Sequence, residues 1–103
     1  VRRGDVLAAH SLRRGVAEAL EIVAHGNKKS SRVVGKRIAD IDLPEGVEIA
    51  ALVRDTDDIK EPQVLIAQKD VIVEPEDRVI VFVPGKRVIA QVEKLFAVDV
   101  GFF

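Results

Sequence analysis

The stretch that most constrains the fold is the one where the hydrophobic period changes. Residues 78–83 run Arg78, Val79, Ile80, Val81, Phe82 and Val83, a β-branched and aromatic series that reads as a strand. Pro84 and Gly85 break it. From Lys86 to Phe96 the spacing becomes helical: Val88, Ile89, Val92, Leu95 and Phe96 make one apolar stripe, with Lys86, Arg87, Gln91, Glu93 and Lys94 on the other side. A strand followed at once by an amphipathic helix requires a layer of helix on sheet.

The rest of the chain fits that frame. Residues 5–12 read as an extended apolar segment, and Arg13, Arg14 and Gly15 form a polar break. Val16–Ala24 is read as a second strand, although its Ala and Glu content also suits a helix. His25–Lys29 is a turn. Ser30 or Ser31 then offers an N-cap for a short helix whose Val34, Ile38 and Ile41 share one face. Leu43–Gly46 ends it. Val47–Val53 carries few polar residues, so a strand buried on both faces is expected. Residues 54–62 form an acidic hairpin loop and residues 63–68 the returning strand. Residues 71–73 are a short strand, and Glu74–Asp77 a turn opened by Pro75. The expectation is an α+β fold, a small β-sheet with two helices packed on it.

At 103 residues with 48% hydrophobic content, the chain suits one core. With four Phe and no Trp or Tyr, that core is aliphatic. The absence of Cys excludes disulfides, thiolate metal sites and cysteine nucleophiles, and fits a reducing cytosol. No apolar run approaches the roughly 18 residues of a membrane span, so direct membrane insertion is not expected. Charge is polarised: residues 1–39 hold nine bases and three acids (+6), residues 40–103 seven bases and fourteen acids (−7). The first residue is not Met, which suggests a piece of a longer protein.

Candidate chemistry is sparse. Ser11 adjoins His10, but neighbours on a strand point to opposite faces and no nucleophile elbow is present, so no catalytic residue is expected. His10 and His25 lack further ligands at metal-binding spacing. Asp55, Asp57 and Asp58 cluster, yet Lys60 and Ile66 occupy the glycine and glutamate positions of a calcium loop counted from Asp55, so no metal is expected. No glycine-rich phosphate loop occurs. The basic set Lys28, Lys29, Arg32, Lys36 and Arg37 lacks interleaved aromatics, which argues for a solvated helix face and against nucleic acid.

An ordered series of short runs carries a resemblance. These runs are residues 11–21, 33–36, 43–47, 49–54, 72–82 and 92–96, together covering about residues 5–98. The chain resembles RCK C-domains, also called TrkA-C domains, of bacterial Trk potassium uptake proteins. The resemblance implies a division into a junction and strand pair (1–25) following a Rossmann-type lobe, the RCK C-domain itself (26–98) and a tail (99–103). It implies a non-catalytic regulatory domain, cytoplasmic and peripheral to the inner face of the cell membrane, that forms a homodimer or higher assembly beneath a TrkH-like potassium-translocating membrane protein. No cofactor is expected in this part; NAD(H) or an adenine nucleotide is expected in the N-terminal lobes. An inter-protomer effector cleft would map to Ile41, Leu43, Val47, Glu48, Ile49 and Ala50. Cyclic di-AMP fills that role in some relatives, but Pro44, Glu45, Gly46 and Glu48 give it no basic residue here. Two alternatives remain: a dimerisation module without ligand, and the same domain in another cation transporter or antiporter.

Overall fold

The computed structural model describes residues 5–12, 17–55 and 61–98. Five strands form one antiparallel sheet: β1 (Asp5–Leu12), β2 (Ala17–Val23), β3 (Glu48–Arg54), β4 (Gln63–Ile66) and β5 (Arg78–Val83). Their spatial order is β1-β2-β5-β3-β4. One α-helix, α1 (Lys86–Leu95), follows β5. The strands expected at 5–12, 16–24, 47–53, 63–68 and 78–83 are thus all present within a residue or two of the sequence-based bounds.

Alternation places the core on one face of the sheet. Leu20 and Ile22 of β2, Val79, Val81 and Val83 of β5, and Ile49 and Leu52 of β3 point inward. Val92, Leu95 and Phe96 meet them from the helix side, and Phe96 is 1% exposed. This is the aliphatic core the composition implies, with Phe96 its one aromatic among the described residues. Each fully buried Leu, Ile or Val side chain contributes about 1.5–3 kcal/mol relative to exposure.

The second expected helix is not formed. Of the periodic set, Val34 and Ile41 are buried and Ile38 is half-buried against the core, but the backbone carrying them is a series of turns with a single 3-10 turn at Ile38–Asp40. Two features divert it. Gly35 adopts φ +84°, a left-handed conformation that stops helical propagation. The N–H groups of Gly35, Ile38 and Ala39 then donate to the carbonyls of Val73, Val71 and Lys69, at 2.7, 2.9 and 3.0 Å, instead of to carbonyls four residues back. Ser31 does act as a local cap: its Oγ accepts from the N–H groups of Val33 and Val34, both at 3.0 Å. It caps a turn, not an α-helix.

Two smaller expectations also change. Residues 71–73 join no sheet as a strand; they pair with the 35–38 segment through one bridge, Arg37 with Ile72. And β3 is buried on one face only: Ile49 and Leu52 are inward, whereas Glu48 is exposed. A bulge between Ile49 and Ala51 resets the alternation, so that Ala51 and Val53 face outward with Glu48. The centre of the acidic loop (56–60), the 13–16 junction and the tail from residue 99 lie outside the described residues.

Candidate functional site

The six residues read from the sequence as an effector cleft occupy three environments. Ile41, Val47 and Ile49 are core residues, 6%, 6% and 8% exposed. Leu43 is half-buried, its N–H donating to Ile41 O at 3.0 Å. Glu48 lies on the outer face of the sheet, opposite Phe82. Ala50 sits in the β3 bulge, where its carbonyl accepts from Ala67 N–H at 3.1 Å. The turn between Leu43 and Val47 needs Gly46: its φ is +82°, and a Cβ there would meet Pro84 Cγ at 3.1 Å. Within one copy the six divide between core, cleft rim and outer face.

Leu43 belongs to a different feature, an open cleft of about 580 Å³ between the 31–44 segment and the C-terminal half of α1. Arg32 and Lys36 rise from the first wall and Lys94 from the second, with Asp42 the single carboxylate among the described lining residues. Leu43, Pro44 and Leu95 supply apolar surface and Gln91 an amide. The segment reaches this position because Ser31 bridges to Val98 and because the N–H groups of Gly35, Ile38 and Ala39 are tied to residues 69–73. Arg32 Nη1 lies 3.5 Å from Lys94 O, a long contact that leans the guanidinium toward the end of the helix. Among the described residues, Arg32, Lys36 and Lys94 make no ion pair.

Three arginines elsewhere in the described lobe, Arg37, Arg54 and Arg78, are matched to acids. Arg37 pairs with Asp40 at 2.9 Å, and its pKa is raised by that hydrogen bond. Arg78 lies 3.1 Å from Asp55 and 3.8 Å from Glu21. Arg54 makes the densest network. It holds Asp77, whose side chain is 1% exposed, in a two-pronged contact at 2.9 and 2.8 Å, and also reaches Glu74 and Ile72 O. The hydrogen bond to Asp77 raises the Arg54 pKa against the opposing effect of its own burial. This network pins the end of β3 to the 72–77 turn and is structural.

The outer face of the sheet is the second open feature. In register, three rows cross it: Val23, Arg78, Val53 and Val64; then Glu21, Ile80, Ala51 and Ile66; then Ala19, Phe82 and Glu48. Eight of these eleven residues are apolar, and Arg78 is neutralised by Glu21 and Asp55. Val64, Ile66 and Phe82 are 61%, 68% and 44% exposed. Solvated faces of antiparallel sheets are ordinarily polar, so this composition marks a surface suited to association.

Sequence reasoning read Arg32 and Lys36 as part of a solvated basic face and Lys94 as a residue turned to water. Nothing in the local pattern joins positions 32 and 94, 62 residues apart. His25, considered for metal binding, has its Nδ1 at 2.7 Å from Glu76 Oε2. Among the described residues no helix is long and apolar enough to cross a membrane.

Comparison with known proteins follows the same line. The family model of the TrkA-C domain matches residues 28–97. Over all 103 residues the chain is 55% identical to the Trk system potassium uptake protein TrkA of Halomonas elongata, covering 21% of that protein. Over 96 residues, 93% of the chain, it is 44% identical to the protein of the same name from Haemophilus influenzae and 46% identical to that from Vibrio alginolyticus, covering 20% of each. The chain therefore spans about a fifth of the length of these curated relatives.

Proposed function

The chain belongs to the TrkA-C domain family, and on that premise we propose that it acts as a regulatory, non-catalytic domain of a Trk potassium uptake subunit. It works by association and not by chemistry. The observation that carries this reading is the outer sheet face: a registered apolar surface on which Val64, Ile66 and Phe82 are exposed, with its one arginine already neutralised. Such a face supports docking to a second copy, to neighbouring lobes of the same subunit, or to both. The names of the relatives supply potassium uptake by a Trk system; a place at the cytoplasmic side of a membrane potassium transporter, and NAD(H) or an adenine nucleotide held in lobes outside this chain, extend the proposal from the family resemblance alone. An effector bound to the lobe alters transport only through different affinity for two arrangements of the assembly.

The test is made in the full-length subunit, in cells that depend on it for potassium uptake. Val64→Lys with Ile66→Lys places two charges on the exposed face without touching the core. The expected result is weakened self-association and altered uptake with an unchanged melting temperature of the lobe. Unaltered uptake both in this variant and after deletion of residues 28–97 would overturn the regulatory reading. Loss of self-association with wild-type uptake would favour a dimerisation module without a regulatory role, which the same face also supports.

A further inference from the structure

We propose that β4 is a self-pairing edge: the same strand of a second copy of this chain runs antiparallel to it across a two-fold axis, joining two sheets into one. The contact is made by the backbone of the sheet edge and not by the apolar outer face. It rests on the regulatory reading only for its purpose, since pairing is measured on the chain alone.

The direction of the backbone is the first observation. β4 is the last strand in the order β1-β2-β5-β3-β4, with β3 its one neighbour among the described strands. Register sets Ile66 opposite Ala51 and therefore Ala67 opposite Ala50, and Ala67 N–H donates to Ala50 O at 3.1 Å. Backbone groups in an antiparallel ladder alternate in direction. Leu65 and Gln63 therefore also turn toward β3, while Val64 and Ile66 turn their N–H and C=O groups to the open side. The same two residues carry the most exposed large apolar side chains among those described, 61% and 68%. Natural edges of this kind are protected by a charge, a bulge or a covering segment. Residues 63–68 read Gln, Val, Leu, Ile, Ala and Gln, with no charge among them.

Self-complementarity is the second. A two-fold axis centred on Val64 would set Ile66 opposite Pro62, which has no N–H to give. An axis centred on Ile66 would set Val64 opposite Gln68 and Glu61 opposite Val71. An axis centred on Leu65 sets Val64 of each copy opposite Ile66 of the other, as facing pairs that exchange both N–H···O bonds, with the two β-branched side chains adjoining on the outer face. In that register Glu61, just before the strand, faces Lys69 of the second copy, just after it, and symmetry makes the match twice. Both side chains are exposed. Lys69 is fixed beside the end of β4, because its carbonyl accepts from Ala39 N–H at 3.0 Å. Opposite charges equally spaced about Leu65 make the strand its own complement.

Consequence is the third. A two-fold axis through the edge keeps both outer faces on the same side, so Val64 and Ile66 of the two copies form one apolar patch. A strand pair this short buries little surface, so the contact is weak between free copies and gains strength where an assembly holds two lobes close.

The experiment is amide hydrogen exchange of the chain, read by NMR in dilute and in millimolar solution, with sedimentation velocity on variants. The Leu65 amide, bonded to β3, should be protected at both concentrations. The Val64 and Ile66 amides should exchange freely in dilute solution and at least tenfold more slowly at millimolar chain. Val64→Pro removes an outward N–H and no bond to β3, and should abolish the slowing at Ile66. Glu61→Lys and Lys69→Glu, both on exposed positions, should each weaken self-association at least threefold, and the two together should restore it to within twofold of the original. Val64 and Ile66 amides that do not slow at millimolar chain, amides equally protected at both concentrations, or a double exchange no better than either single one would each overturn the pairing. Docking through the outer face alone leaves these amides free. Failure here with uptake regulation intact sinks the edge pairing and spares the regulatory reading; concentration-dependent protection with unaltered uptake after deletion of residues 28–97 does the reverse.

Discussion

Removing Arg54 tests the logic of the fold most directly. Its guanidinium accounts for two of the three hydrogen bonds to the Asp77 carboxylate, the third coming from Glu74 N–H at 2.8 Å. Arg54→Ala leaves a carboxylate that is 1% exposed facing an apolar interior with one neutral donor. Breaking a buried pair from one side costs about 3–5 kcal/mol, and near-complete burial of Asp77 places this case toward the upper part of that range, about 4 kcal/mol. Asp77→Ala should cost less, about 3 kcal/mol, because Arg54 is 19% exposed and keeps Glu74 and Ile72 O as partners. Removing both together should cost less than the sum, since neither charge is then stranded. Arg54 has a pKa raised above its ordinary value, chiefly by its hydrogen bond to Asp77, so the folded state favours its protonated form. Its contribution is complete below the unfolded value and is lost only as pH climbs through the still higher folded one, so the ordering of variants should hold between pH 6 and 9. Urea unfolding monitored by circular dichroism measures all three variants. An Arg54→Ala cost below about 1 kcal/mol, or strict additivity of the two single changes, would refute the claim that burial of Asp77 sets the magnitude.

Two further changes probe the turn segment that replaces the expected helix. Ser31→Ala strands the N–H groups of Val33 and Val34 at a position 7% exposed, and should lower stability by about 1–2 kcal/mol in the same unfolding assay. Gly35→Ala forces a Cβ into φ +84°, and should cost about 1–2 kcal/mol from backbone strain, with the flexible Lys28 side chain moving aside.

How much of this was legible depended on whether a local pattern had a single physical reading. The Arg78–Val83 strand and the Lys86–Leu95 helix appear where the hydrophobic period places them, because Pro84 and Gly85 leave no alternative boundary. The segment from Ser31 to Ile41 failed for the opposite reason. Spacing of Val34, Ile38 and Ile41 specifies which residues face the core, but an irregular chain with a left-handed Gly35 can bury Val34 and Ile41 equally well. The competing partners for its N–H groups lie at residues 69–73, thirty or more positions away, where no window of local sequence reaches them. The β3 bulge is similar: without it Ala51 and Leu52 would exchange faces, and a run with so few polar residues reads as buried on both sides. The cleft was least legible. Its cations lie on separate elements, and each taken alone looks like an ordinary solvated lysine or arginine.

Whether the outer face of the sheet is an interface or merely good strand sequence can be decided by one substitution class. Val64 and Ile66 lie on a four-residue edge strand, where β-branched residues help secure pairing whatever covers them. Phe82 does not fit that explanation. It lies on β5, between β2 and β3, where pairing on both sides already holds the strand, yet it remains 44% exposed. Thr retains the β-branched preference while removing most of the apolar surface. If these residues serve strand formation alone, Phe82→Thr with Ile66→Thr should leave both melting and association unchanged. If the face docks, self-association measured by sedimentation velocity should fall at least tenfold while stability changes by less than about 1 kcal/mol, since neither side chain belongs to the core. A large loss of stability without loss of association would show that Phe82 is held by its neighbours Ala19 and Glu48 within one copy, and the docking argument would fail with it.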